Sequence, residues 1–287
     1  MRKIAIIGLG LIGGSIGLGL KRVSGDQGIR ISGIPRREET IKEALTLGVI
    51  DEGTTDHIKG TADADIVFIC TPINLIPQII KEISPTLKKG AIVTDVGSSK
   101  QVIVSEAEKI MPKGAFFVGG HPMAGKETFK LESAEANLFE GKKWILTPTS
   151  RTSKKAIEAL KEVVRLLGGE VLEIDPKTHD LVVAGISHMP LAIAASLVNA
   201  VGGEEQKELM AKCASSGFRD TTRIASGDPI LGVDMFTTNQ KAILKMIGSF
   251  KRALSNLEKL IKEGNSEKIR EELEKAKKFR DSIYSLR

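Results

Sequence analysis

Apolar positions in the first 175 residues follow two alternating rhythms. Short runs that are apolar at nearly every position, KIAIIG, IRISGI, DIVFICTP, GAIVTDVG, AFFVGG, KWILTP and EVLEID, predict strands. A strand covered by helices on both faces needs apolar side chains on both, so it loses the alternation of a half-exposed strand. Between these runs SIGLGLKRV, REETIKEALTLG, LIPQIIKEISPTL, KQVIVSEAEKIM and SKKAIEALKEVVRLLG repeat with the helical period, the last closed by Gly168-Gly169 as a C-cap. The alternation predicts an α/β fold, a doubly wound and mostly parallel sheet. After Asp175-Pro176 the rhythm changes. HDLVVAGISHMPLAIAASLVNAV is apolar nearly all round, which predicts a helix buried on most sides, and no strand follows it. The rest, ending in SFKRALSNLEKLIKEGNSEKIREELEKAKKFRDSIYSLR, reads as helix punctuated by Gly and Asn. The chain of 287 residues is thus expected to divide near residue 175, into an α/β domain over 1–175 and an all-helical domain over 176–287.

The first strand runs straight into Gly8-x-Gly10-x-x-Gly13, and a helix follows. In that context the spacing is a dinucleotide fingerprint, and the first domain is predicted to be of the Rossmann type. Gly8 permits the tight turn, Gly10 lets a pyrophosphate approach the backbone, and Gly13 lets the helix pack on the strand. Phosphates would sit on the N-terminal amides around Leu11, Ile12 and Gly13. At the end of the second strand an acid would bind a ribose 2′-hydroxyl, but Pro35 stands there, followed by Arg36 and Arg37. Guanidinium groups pair with phosphate in two bonds, which favours NADP over NAD. The competing reading leaves both arginines in solvent, with Glu38 and Glu39 starting the helix.

Ligands of open α/β sheets bind outside the carboxyl ends of the strands. Those ends carry Thr71-Pro72, Asp95 to Ser98, and His121. His121 follows two glycines and precedes a proline, so its imidazole stands on a rigid platform. Its ordinary pKa near 6.5 suits a general base at neutral pH, and a hydroxyl oxidised by hydride loss needs such a proton acceptor. Ser98 either hydrogen-bonds that hydroxyl or the imidazole, or caps the next helix. Arg223 in RDTTR offers a fork for a substrate carboxylate, with Arg219 in support, or else pairs with Asp220 or Asp228. His188 precedes Met189-Pro190, where proline would kink a buried helix and expose backbone carbonyls, and it reads either as a site residue or as a satisfied core histidine. His179 reads as a helix-start residue and His57 as a surface one.

Composition narrows the classes. Lys and Arg outnumber Asp and Glu to give +6, and aromatic residues are 4%. That suits small acidic substrates and gives no reason to expect nucleic acid as a partner. Cys70 and Cys213 form no metal pattern and are expected to be reduced core residues of a cytoplasmic protein. No apolar run of about 18 residues is free of glycine, so no membrane span is expected. The N-terminal stretch lacks a signal-peptide cleavage pattern. No appended regulatory or mutase domain is expected.

GGHPMAGKE, GLGLIGGS, DVGSSK, ISHMP and SSGFRDTTRIASGDP, in their places along nearly the whole chain, resemble the prephenate and arogenate dehydrogenase family of tyrosine biosynthesis. The resemblance implies a Rossmann domain followed by a helical dimerisation domain, a homodimer through the C-terminal helices, and an oxidative decarboxylation. In it NAD(P)+ takes hydride from the ring carbon bearing the hydroxyl, His121 accepts the hydroxyl proton, and the ring carboxylate leaves as CO2. It further implies that Ser98 assists the histidine, Glu127 gates the substrate entrance, Arg223 holds a substrate carboxylate, and Ser187 and His188 lie near nicotinamide and substrate. Two positions depart from the prephenate-specific pattern: Leu191 where some members carry histidine, and Gly232 where some carry tryptophan. With Arg36 these departures bring the chain closer to NADP-dependent members that accept arogenate. Rival readings are a β-hydroxyacid dehydrogenase or imine reductase of similar layout, and a non-catalytic NADP(H) sensor. The hydroxyacid enzymes rely on a lysine in the interdomain helix, and this chain has none from Thr178 to Gln206.

Overall fold

The computed structural model describes residues 2–24, 28–126, 128 and 130–284. The α/β part runs β1 (Arg2–Ile7), α1 (Leu11–Ser24), β2 (Ile29–Ile34), α2 (Glu38–Thr46), β3 (Glu52–Gly53), α3 (His57–Thr61), β4 (Ile66–Ile69), α4 (Ile76–Ile83), β5 (Ile92–Asp95), α5 (Gln101–Ile110), β6 (Phe116–Pro122), β7 (Lys143–Thr147), α6 (Lys154–Leu166) and β8 (Glu170–Glu173). Among the described residues these strands form one eight-stranded sheet in the order β3-β2-β1-β4-β5-β6-β7-β8. All neighbours are parallel except β6 and β7, so the fold is the expected mostly parallel, doubly wound sheet. The two-residue β3 and the five-residue α3 are too short to leave a periodic signal, and the sequence pattern does not announce them.

The near-continuous apolar strands are explained by cores on both faces. Along β1, Ile4 and Ile6 enter one cluster with α1 and α6 residues such as Ile16, Leu20 and Leu160. Ala5 and Ile7 enter the other with Ile76, Ile80, Ile103 and Ala107 of α4 and α5. Each fully buried aliphatic side chain contributes roughly 1.5–3 kcal/mol relative to exposure. The strand order reverses between β1 and β4, which lie side by side. That reversal opens the crevice in which such folds bind ligands.

After β8 the chain is helical: α7 (Pro176–Val183), a π turn (Ala184–His188), α8 (Met189–Gly202), α9 (Lys207–Cys213), α10 (Ser216–Thr222), a 3-10 turn (Arg223–Ser226) and α11 (Pro229–Thr238). These helices join the sheet in one compact unit, Met1–Gln240; Lys241–Arg287 forms a second. The second unit carries α12 (Gln240–Lys262) and α13 (Ser266–Tyr284), joined through Gly264 at φ +61°.

Two expectations need correction. The helix from His179 onward is not buried on most sides: Leu181, Val182, Ile186 and Val198 are exposed. By length and composition Pro176–Gly202 is apolar enough to cross a membrane, a match that a search for uninterrupted apolar runs does not return. Cys213 is exposed on α9 rather than in a core, whereas Cys70 lies largely buried behind β4. Burial, with the Asp95 carboxylate nearby, pushes the Cys70 thiol far above its usual range.

Candidate active site

The Gly-rich turn leaves no room for side chains. Gly8 sits at φ +90°, and a Cβ there would come within 2.6 Å of the Cys70 carbonyl oxygen; one at Gly13 would come within 2.0 Å of the Gly8 carbonyl. The first turn of α1, from Leu11 and Ile12, holds no acidic residue, so its free amides face no competing carboxylate. Beyond β4, Thr71 is half-buried and Pro72 exposed. Thr71 Oγ1 is buried and has no hydrogen-bond partner among the described residues. A buried hydroxyl left unpaired costs about 1–3 kcal/mol, so its natural partner is a bound ligand. Arg36 and Arg37 are exposed after β2, and neither forms an ion pair within the described residues. A cradle closed to any Cβ, an acid-free helix start and an orphaned hydroxyl together fit a dinucleotide.

His121 ends β6 on the same sheet edge, and it does not stand alone. Its Nδ1 lies 2.9 Å from Nε2 of His179, and the two rings meet edge-on at 5.1 Å. Nδ1 of His179 lies 2.8 Å from the Asp180 carboxylate. That carboxylate also accepts the Lys100 and Gln101 backbone amides at 2.7 and 2.9 Å. Beneath the platform, Asp95 pairs with the buried Lys100 amine and accepts the Gly97 and Gly120 amides at 2.9 and 3.2 Å. The ion pair thereby ties down the glycine backbone that carries His121. On the other side His188, fully buried in the π turn, has Nδ1 at 3.2 Å from Asn239 Nδ2, which donates to the Asp180 carbonyl at 2.8 Å. Nε2 of His188 is buried without a partner among the described residues.

This setting favours neutral imidazoles. Burial, reinforced by the neighbouring basic groups His179, Lys100 and His188, which oppose a further positive charge, holds His121 well below the ordinary 6.5. Burial lowers His179 too, against the pull of Asp180, and brings His188 down to about 4. Burial likewise lowers the Lys100 amine, against the attraction of Asp95.

The other expected residues are placed less closely. Ser98 is half-buried just before α5, but the first amides of that helix are capped by Asp180, so the cap reading of Ser98 is replaced. Ser187 is half-buried in the π turn beside His188. Arg219 is exposed and bonded to its neighbour Asp220 at 3.1 Å. Arg223 opens the 3-10 turn, and Asp228 caps α11 through the Ile230 amide. Glu127 lies outside the described residues. Leu191 and Gly232 are neighbours: a Cβ on Gly232 would sit 3.6 Å from the Leu191 side chain. The cluster adds Asp180 and Lys100 to the sequence reading and gives His179 and Asp95 roles that it did not assign. His179 does lie in the first turns of α7, as expected, but it is a fully buried partner of His121 rather than a mere helix-start residue. The available signal was the pair His179-Asp180 after a Pro-started helix, and the Asp and Lys bracketing DVGSSK.

Comparison with known proteins places the chain in a family. The family model for the prephenate dehydrogenase nucleotide-binding domain matches residues 16–173, and that for the prephenate dehydrogenase dimerization domain matches 175–275. Prephenate dehydrogenase of Bacillus subtilis is 36% identical over 282 residues, covering 98% of this chain and 76% of its own. The crystal structure of prephenate dehydrogenase from A. aeolicus in complex with hydroxyphenyl propionate and NAD+ superposes with a TM-score of 0.92 at 38% identity, covering 99% and 98% of the two chains. Synechocystis arogenate dehydrogenase gives 0.86 at 36%, covering 98% and 100%. With both domain models matched in order and near-complete relatives above 35% identity, this chain belongs to the prephenate dehydrogenase family.

Proposed function

We propose that the protein is an NAD(P)-dependent dehydrogenase that oxidises and decarboxylates arogenate or prephenate, with arogenate and NADP+ preferred. The observation that carries this reading is His121, an imidazole kept neutral near the carboxyl end of β6 with Nδ1 2.9 Å from His179. Gly8, Gly10, Leu11, Ile12 and Gly13 would cradle the pyrophosphate, Thr71 and Pro72 would line the nicotinamide side, and Arg36 with Arg37 would bind a 2′-phosphate. Bound there, the oxidised cofactor supplies a hydride acceptor for the ring carbon bearing the hydroxyl. His121 takes the hydroxyl proton as that carbon becomes a carbonyl, and the bond to the ring carboxylate then breaks, releasing CO2. Aromatisation of the ring drives the step. General-base assistance of this kind contributes about 10²- to 10⁴-fold.

The remaining assignments follow from charge and reach. Arg223, supported by Arg219, would hold a substrate carboxylate, because a dianion entering the crevice needs fixed cationic donors. Ser98, Ser187 and Glu127 would contact substrate. Asn239 donates to Nδ1 of His188, so the neutral ring carries its proton on the unpartnered Nε2 and would offer it to the ligand. Leu191 and Gly232, which depart from the prephenate-specific pattern of histidine and tryptophan at these positions, weigh toward arogenate. The exposed apolar face of α7 and α8 suits a second copy of the chain, so the enzyme would be a cytoplasmic homodimer. The hydroxyacid-dehydrogenase, imine-reductase and sensor readings have no specific observation in their favour.

The test is a two-by-two assay, arogenate or prephenate with NAD+ or NADP+, following reduced cofactor. Arogenate with NADP+ is expected to give the highest kcat/KM. Preference for NAD+ would overturn the role of Arg36, and no reduction with any pair would overturn the activity.

A further inference from the structure

We infer that His179 and Asp180 are positioning residues that fix His121 in its Nδ1–H tautomer, leaving Nε2 as the atom that takes the substrate proton. The inference rests on the proposed activity, and its basis is a directional chain of hydrogen bonds. Both oxygens of Asp180 already accept backbone amides, Oδ1 from Lys100 at 2.7 Å and Oδ2 from Gln101 at 2.9 Å, and backbone amides can only donate. The carboxylate therefore presents lone pairs to His179, whose Nδ1 at 2.8 Å from Oδ1 must be the donor. A neutral imidazole has one N–H, so Nε2 of His179 is an acceptor. Its only ring neighbour is Nδ1 of His121 at 2.9 Å, which must then carry hydrogen. That leaves the lone pair of His121 on Nε2, the nitrogen at the far side of the ring from His179.

The same chain explains what happens when the base loads. The hydroxyl O–H bond breaks and an Nε2–H bond forms, giving an imidazolium. The positive charge is then bonded through Nδ1–H to His179 and, one ring further on, to the Asp180 carboxylate. No proton need pass along the chain. The groups facing His121 from the elements packed on it are His179 on α7, Lys100 before α5 and His188 in the π turn, all basic. Asp180 on α7 and Asp95 at the end of β5 are the compensating carboxylates. Because Asp180 and His179 stand on α7 while His121 stands on β6, the helix that opens the helical region sets which nitrogen of the base is available.

Two substitutions separate this from a packing role. His179→Gln offers an amide oxygen as acceptor, whereas His179→Leu fills similar space without one. Nitrogen-15 spectra of the imidazoles in the full-length protein, assigned by loss of the His121 signals in His121→Asn, read the tautomer without turnover. A failure of this inference is thus separable from a failure of the assigned activity. In the unmodified protein His121 is expected to be protonated at Nδ1. In His179→Leu that preference is expected to disappear and kcat to fall about 10- to 100-fold, the scale of an orienting partner, with KM unchanged. His179→Gln is expected to keep the Nδ1–H tautomer and the larger part of kcat. Protonation at Nε2 in the unmodified protein would overturn the inference, as would equal loss in both variants or unchanged kcat in His179→Leu.

Discussion

Single residues decide whether the cofactor edge exists. A Cβ at position 13 would overlap the Gly8 carbonyl at 2.0 Å, and backbone on both sides cannot move away cheaply. Gly13→Ala is therefore expected to lose NADP+ binding in calorimetry and to lower stability by about 1–3 kcal/mol, as overpacking does. In the proposed reading Arg36 would act at the other end of the cofactor. Arg36→Glu places like charge against a 2′-phosphate and removes a charged hydrogen bond contributing about 1.5–3 kcal/mol. The kcat/KM ratio of NADP+ to NAD+ is expected to fall by at least about tenfold, and an unchanged ratio would remove Arg36 from the site. Gly8, Gly13 and His121 were legible in the sequence because each is a short-range signal: glycine spacing after a strand, or a polar residue at a strand end. His179 was not, because its partner lies on β6, and a histidine in the first turns of a helix has the same local pattern whether it faces water or another ring.

At the level of elements, α7, the π turn and α8 make one helix with a polar knot at its base and an apolar face elsewhere. Periodicity could identify the helix but not its surroundings, since a side chain meant for the protein's own core and one meant for a partner look alike in sequence. The π turn left no signal because one extra backbone residue in a turn does not alter composition; such turns recur at functional sites. The buried histidines of this region set two pH dependences. His121 must be neutral to accept a proton, and its folded-state value lies below 6.5, so the acid limb of kcat is expected below pH 6.5, with a plateau through neutrality. An acid limb above 6.5 would contradict the burial argument. His188 has a folded-state value of about 4 against 6.5 when unfolded. Above pH 6.5 both states are neutral and nothing is lost. Between 6.5 and 4 the unfolded chain takes up a proton that the folded chain refuses, so stability falls, by about 3 kcal/mol for this residue. Denaturant melts at pH 7 and pH 4.5 should show a smaller drop for His188→Gln than for the unmodified chain.

Across the larger unit, residues 1–240, the sheet provides a fixed edge to which α7 and α11 are tied. Three polar ties link the later helices to the carboxyl ends of the strands: Asp180 to the start of α5, Ser99 to Thr238 at 2.8 Å, and Asn74 to Asp234. The mostly parallel sheet was readable because βα alternation leaves few arrangements. The tying of the helices to that edge was not, because each contact joins residues about 80 to 160 positions apart. The exposed apolar side chains beyond α8 include Ile230 and Val233, a helical turn apart on α11 and 64% and 58% exposed. If a second protomer covers them, Ile230→Lys with Val233→Lys should convert a dimer to a monomer in sedimentation at micromolar concentration. A dimer that survives both charges would place the interface elsewhere.

The central claim is that a neutral imidazole at the end of β6 removes the substrate hydroxyl proton. Its most direct test is His121→Asn, which keeps a polar side chain of similar reach but no base. With the substrate and cofactor pair preferred by the unmodified protein, kcat is expected to fall by about 10²- to 10⁴-fold while the dissociation constants of both ligands stay the same. Turnover within a few-fold of the unmodified protein would contradict the account.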